Sequence, residues 1–179
     1  PRLSLKHKIQ SNISLEASLD KHHQFIHKIS SNNFDTRGTQ NMWILSTKNI
    51  PVIYSNNYHL GITWDNKNYS FSHSLYSRQI ENIFQFNDSF MTTITNNNIN
   101  NELYVGSGTS NGLEIILRRK IGLISGWMAY HLNNSKYNFP KLNNGKDFLA
   151  DHGKMHELKI IAITKLWNFD LSASWVFSS

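Results

Sequence analysis

His22, His23 and His27 stand close together in the chain, with Asp20 just ahead of them. Imidazole and carboxylate are ligand types that zinc and copper accept. Such a site also needs neighbours that orient each ring. The three read instead as histidines above a strand end, and no metal is assigned. His152 and His156 are four apart, a spacing that converges on a helix but not along a strand. Asp147, Asp151 and Glu157 would suit paired-carboxylate hydrolysis, but they span a loop and a strand start with no fixed separation. No G-x-S-x-G elbow occurs. Gly106-Ser107-Gly108 precedes a strand, so it is not a phosphate cradle. The Asn-x-Ser sequons at Asn12, Asn68, Asn87 and Asn133 are what an Asn- and Ser-rich chain produces by chance. The chain is read as a non-enzyme with no cofactor. Trp43, Tyr104, Tyr137 and Phe148 are loop aromatics able to stack on a ligand, and equally suited to packing the loops on each other.

These groups must be positioned by segments of period-two hydrophobicity. Leu3, Leu5 and Ile9 alternate with Ser4, Lys6 and Lys8, and Ile13, Leu15, Ala17 and Leu19 with Ser14, Glu16, Ser18 and Asp20. Tyr58, Leu60, Ile62 and Trp64 form a third set, and Phe71 and Leu75 a fourth, with His73 on the apolar side near a rim. Leu113, Ile115 and Leu117 form a fifth, and Ile124, Met128, Tyr130 and Leu132 a sixth. Leu158, Ile160 and Ala162, then Leu171, Ala173, Trp175 and Phe177, complete eight segments. Very short turns fall near residues 10–12, 65–68, 120–122 and 167–169, and long polar connections near 21–55, 80–110 and 133–153. In an antiparallel meander alternate connections lie at opposite ends. All short turns then share one end and all long connections the other, the pattern of an outer-membrane barrel wall. Trp64, Tyr69, Trp127, Trp167 and Phe169 gather at the short-turn end, where an interfacial girdle would place them. The expected fold is all-β: an antiparallel up-and-down meander of about eight strands, a segment of a transmembrane β-barrel, with residues 1–179 a partial barrel domain.

Composition agrees. Hydrophobic residues make up 39% and aromatic residues 12%, but charged residues only 17%, against about 25% in soluble domains. Asn and Ser supply the polarity. There is no cysteine, which excludes disulfide and thiolate chemistry. The net charge of +6 is scattered, so no dense basic patch supports a nucleic-acid partner. No apolar run approaches the ~20 residues of a membrane helix, whereas barrel strands need only ~9–11. The chain begins at Pro1 and is expected to be an excised piece.

Two stretches go further. Gly108, Gly112 and Glu114 fit a G-x-x-x-G-x-E strand start, Gly126, Trp127 and Tyr130 a G-W-x-x-Y strand, and Asp151, His156 and Leu158 a D-x-x-x-x-H-x-L strand start. Their order and spacing, clearest from Val105 to Phe177, resemble the C-terminal half of the barrel of TonB-dependent outer-membrane receptors. Gly153, Lys154 and Met155 stand where the family often has a second Asp and basic residues. The resemblance implies residence in the outer membrane of a Gram-negative bacterium and uptake of a scarce nutrient: an iron chelate, a glycan or a peptide. The implied partners are outer-membrane lipid, the remainder of the barrel, a plug domain and, through that plug, a TonB-type energy-coupling protein. Family barrels have about 22 strands around a plug; eight strands are expected here, without plug, coupling box or C-terminal aromatic residue. The alternatives are a self-contained eight-strand outer-membrane barrel and a soluble β-sandwich that binds a ligand.

Overall fold

Alternation of apolar and polar residues extends the backbone, and extended segments must pair to satisfy their N–H and C=O groups. The computed structural model describes residues 1–31, 40–86, 103–150 and 153–179, and places these segments in one antiparallel sheet. Its strands are β1 (Arg2–Gln10), β2 (Ile13–Gln24), β5 (Ile53–Asp65), β6 (Tyr69–Phe86), β7 (Leu103–Arg119), β8 (Ile124–Asn138), β10 (His156–Leu166) and β11 (Phe169–Ser178), hydrogen-bonded in that order. A two-residue strand, β9 (Phe148–Leu149), adds to β8. Strands β3 (Ile26–Ser31) and β4 (Gln40–Leu45) form a separate hairpin. The fold is therefore all-β, a meander of eight long strands. Among the described residues β1 and β11 do not pair with each other, so the sheet is open.

Residues directly opposite in an antiparallel pair share a face, so the register fixes both faces. One row runs Leu5–Ala17–Leu60–Leu75–Leu113–Leu132 across six strands. Another runs Ile13–Trp64–Phe71–Leu117–Met128–Ile160–Trp175. Along β2 the apolar positions from Ile13 to Leu19 cover about 20 Å at the usual rise. The opposite face carries the row Lys6–Glu16–Gly61–Ser74–Glu114–His131–Glu157. Beyond the Leu19–Tyr58 row the first face turns polar, with Asn56, Gln79 and Thr109 in line.

No second layer among the described residues covers the apolar face: Leu5 is 68% exposed and Leu60 55%. The accessible surface is 13137 Å², against about 8,900 Å² for a folded monomer of this mass. Among the described residues Ile50, Leu103, His27 and Phe139 are buried at the long-connection end, Phe139 to 2% exposure, and Ser18 is buried within β2.

The strands outrun the alternation that revealed them. β6 continues to Phe86, β7 starts at Leu103 and β8 reaches Asn138, all inside stretches expected as connections. The region of residues 21–55 contains the end of β2, the β3–β4 hairpin and the start of β5. Here apolar residues such as Ile80, Ile83, Phe84 and Val105 are mixed with polar ones on both faces, so no regular hydrophobic period marks the strand although the ladder persists. The extension contains a β-bulge between Glu81 and Ile83. Asn82 sits there at φ 60 and donates from Nδ2 to the Val52 carbonyl at 3.0 Å, as bulges re-aim a strand near its edge. Residues 87–102 of the second connection lie outside the described residues.

Trp127 faces the polar side with Ala129 and His131, as its alternation with Met128 has it, opposite Arg118 and Ile161 and away from the girdle rings. One placement differs from expectation. His73 lies inside the apolar band between Ile62 and Ile115, not at its rim.

Candidate functional site

The polar face at the long-connection end concentrates the side-chain hydrogen bonds. Three adjacent rows build it: Ser18–His59–Tyr76–Gly112–Asn133, Asp20–Asn57–Arg78–Ser110–Ser135, and His22–Ser55–Ile80–Gly108–Tyr137–Phe148.

On β7 and β8 the arrangement depends on absent side chains. A Cβ on Gly112 would lie 2.4 Å from the Tyr76 hydroxyl and 2.4 Å from the Leu132 carbonyl, so the Tyr76 ring lies across the strand only because glycine is there. The Tyr76 hydroxyl donates to Asn133 Oδ1 at 3.1 Å and meets His131 Nε2 at 2.8 Å. Ser110 donates to the same Asn133 oxygen at 2.9 Å, and Ser135 donates to Ser110 at 2.8 Å. Gly108 likewise makes room for Tyr137, whose ring Cδ1 is 2.9 Å from where a Cβ would be. Tyr137, Phe139 and Phe148 then pack with ring centroids 6.1–6.4 Å apart.

On β2, β5 and β6 a linear relay replaces the rings. His22 Nε2 donates to Asp20 Oδ1 at 2.7 Å, and Asn57 Nδ2 donates to the same oxygen at 2.5 Å. Asn57 Oδ1 in turn accepts from Arg78 Nε at 2.8 Å. The carboxylate thus orients an imidazole directly and a guanidinium through an amide.

The aromatic candidates divide. Tyr137 and Phe148 come together, and Tyr104 lies on the same face farther out, with Lys141 Nζ 5.9 Å from its ring. Trp43 does not join them; it is exposed on the separate hairpin. The histidines do not converge either. His22 is on the polar face. His23 is on the other face, 6.3 Å from the Phe25 ring and 6.2 Å from Tyr54. His27 is buried, with Nε2 2.8 Å from Ser46 Oγ and its ring edge-on to Phe84. Strand alternation separates neighbours onto opposite faces, which is why three close histidines form no site. Burial holds the His27 imidazole below its ordinary pKa. Among the described residues no group of His, Asp and Glu is placed to hold a metal ion.

The motif residues take structural places. Gly108, Gly112 and Glu114 share the polar face. Glu114 stands opposite His131, which on its other side meets Glu157. Gly126 adopts φ +152, and a Cβ there would lie 2.0 Å from the Ile161 carbonyl, so β8 and β10 approach through it. Tyr130 Oη is 2.8 Å from His156 Nδ1 on the apolar face, joining two of the motifs. Asp151 lies outside the described residues. Trp127 lines a shallow hollow of about 370 Å³ with Arg118, His131 and Lys159, where Lys159 pairs with Glu157.

Tyr76, Asn57, Arg78 and Asn133 were not singled out by sequence. Their signal was a polar residue at a polar-face position, shared by many others. Only the register sets Tyr76 opposite a glycine and Asn57 opposite Arg78. No family model matches this chain, and no curated protein is found to be related to it.

Proposed function

We propose that this chain is a wall segment of an outer-membrane β-barrel, of the TonB-dependent transporter type that its motifs resemble, serving uptake of a scarce nutrient such as an iron chelate, a glycan or a peptide. The observation that carries this reading is the uncovered apolar face, which is continuous over the strands and bounded by polar rows. Lipid is the surrounding that satisfies such a face without a second protein layer. The eight strands of the meander, from 9 residues in β1 to 18 in β6, meet the ~9–11 needed to cross. No helix among the described residues is long and apolar enough to cross a membrane.

In this reading the apolar rows face lipid and the polar rows line the passage, where a plug would be met. The long connections face outward, and the open edges of β1 and β11 receive the remainder of the barrel. A self-contained eight-strand barrel fits less well, because the polar face is floored by small residues such as Ser18, Gly61 and Ser74, whereas a narrow barrel fills its interior with side chains. A soluble sandwich would put a second sheet over the apolar face, and the described residues place none there.

Reconstitution of the purified chain into lipid vesicles, followed by circular dichroism and protease protection, tests the proposal. The expected result is β-structure that forms with lipid, protected strands and cleavage in the long connections. A monomeric β-protein that folds without lipid and is indifferent to it overturns the reading.

A further inference from the structure

At the long-connection end, between β2, β5 and β6, lies a hollow of about 630 Å³ lined by His22, Phe25, Ile53, Ser55, Arg78 and Ile80 among others. We infer that it binds the carboxylate or phosphate group of a small anionic ligand, with the Arg78 guanidinium as the recognising group. Arg78 is exposed and carries five N–H donors in a planar fork suited to such oxyanions. Its Nε is engaged with Asn57, and its terminal nitrogens make no hydrogen bond with the described residues.

The relay behind it is what distinguishes this arginine from a solvated surface cation. Asn57 is held by Asp20, which also holds His22, so the guanidinium is pinned at Nε with its outer edge left for a ligand. Preorganisation of this kind lowers the ordering cost of binding. The charge balance favours an anion. The row reads Arg2–Asp20–Asn57–Arg78, two arginines to one carboxylate, and that carboxylate already accepts two hydrogen bonds. Ser55 stands between His22 and Ile80 with a small hydroxyl. Ile53, Ile80 and Phe25 give the hollow an apolar side for the rest of the ligand, so the class is an anionic head on a partly apolar body.

As a statement about a transported solute this rests on the barrel reading above; as a statement about binding it does not. The test is calorimetric titration of the refolded chain in neutral detergent with citrate, with inorganic pyrophosphate, and with uncharged glucose as the control. Saturable binding of citrate or pyrophosphate but not glucose is expected, and whichever of the two binds more tightly identifies a carboxylate or a phosphate as the preferred head. Arg78→Gln should weaken binding at least tenfold, and Arg78→Lys should recover only part of it, since a point charge lacks the fork. Ser55→Asp, which leaves Arg78 in place and adds a negative charge beside it, should also abolish binding. Lys165→Gln, which removes one positive charge from the same face on distant β10, should leave it unchanged. Absence of anion binding by the folded chain overturns the inference, as does equal binding by wild type and Arg78→Gln, or equal loss in Lys165→Gln. Protease protection in vesicles on the same preparations reads the barrel proposal separately: a chain that inserts but binds no anion fails here alone, and one that binds but does not insert fails there alone.

Discussion

The hairpin of β6 and β7 is built on different physics in its two halves. Near the short-turn end, Phe71 and Leu75 stand opposite Leu117 and Leu113, with His73 opposite Ile115 between them, and no second layer among the described residues covers this face. Near the long connection, Ser77, Gln79 and Glu81 stand opposite Asn111, Thr109 and Ser107 on that face. On the reverse face there, rings lie over glycines and hydroxyls and amides bond one another. The first half, in the reading proposed above, would be completed by an apolar surrounding. The second satisfies its polar groups within the sheet and suits contact with water. One continuous ladder joins both, so on the proposed membrane reading the same strands would pass from one solvent to another.

Substitution should separate the halves and the faces. The largest effect is expected for Leu60→Arg, in the centre of the apolar band: about 2–4 kcal/mol lost when urea-denatured chain folds into vesicles, the usual cost of a cation on a lipid-facing strand. Ser74→Arg, its half-buried neighbour on the opposite face, should cost no more than about 1 kcal/mol, the usual size for a single substitution. Equal costs would erase the distinction between the faces. Gly112→Val comes next. Its side chain would collide with Tyr76 and the Leu132 carbonyl, and overpacking of this kind costs about 1–3 kcal/mol, read as a lowered urea midpoint. An unchanged midpoint would mean that the Tyr76 ring has an alternative resting place.

Tyr76→Phe keeps the ring but removes the hydroxyl that meets Asn133 and His131. A loss of about 1 kcal/mol is expected, with faster amide exchange confined to the long-connection half of β6 to β8. A uniform increase along the strands would show that the two halves are not separable.

The β3–β4 hairpin should respond to pH. Because burial lowers the His27 pKa below the ordinary 6.5, the unfolded ring takes a proton before the folded one does. The stability of this packing is therefore full above about pH 6.5 and falls as pH drops toward and past the lowered folded value. Trp43 fluorescence should report loosening in that window, and His27→Phe should abolish the pH response. A response that survives the substitution would assign it elsewhere. The smallest effect is expected at the short-turn end, where Lys120 Nζ meets Asp65 at 2.5 Å in the open. Exposed pairs of this kind contribute little, so Lys120→Ala should leave the urea midpoint unchanged within error and insensitive to salt.

Much of the sheet is legible from single residues. Wherever one face is apolar and the other polar, as from Ile13 to Asp20 or Leu171 to Trp175, a one-residue slip would exchange the faces, so the pattern specifies the strand. The turns at Ser11-Asn12 and Asp65 to Asn68 punctuate it. Legibility ends where apolar and polar residues are mixed on both faces. Ser77 to Phe86 and Leu103 to Asn111 are strand because their backbones pair across β6 and β7, and side-chain alternation carries no trace of that. The histidine cluster failed for the complementary reason: nearness along an extended chain sends His22 and His23 to opposite faces.

The candidate site was partly visible. Gly108 and Gly112 stood out through a motif, and Tyr137 and Phe148 as loop aromatics, although both lie in strands, β8 and β9. Their common purpose was not visible, nor was Arg78, one cation among 18. Asp20 and Asn57 are 37 residues apart, and Asn57 and Arg78 21. The sequence by itself determined which side chains share a face, because period two is a local property of an extended backbone. The tertiary structure alone decided which of them touch, because register across strands joins residues that no local spacing relates, and the relay on Arg78 and the ring over Gly112 exist only in that register.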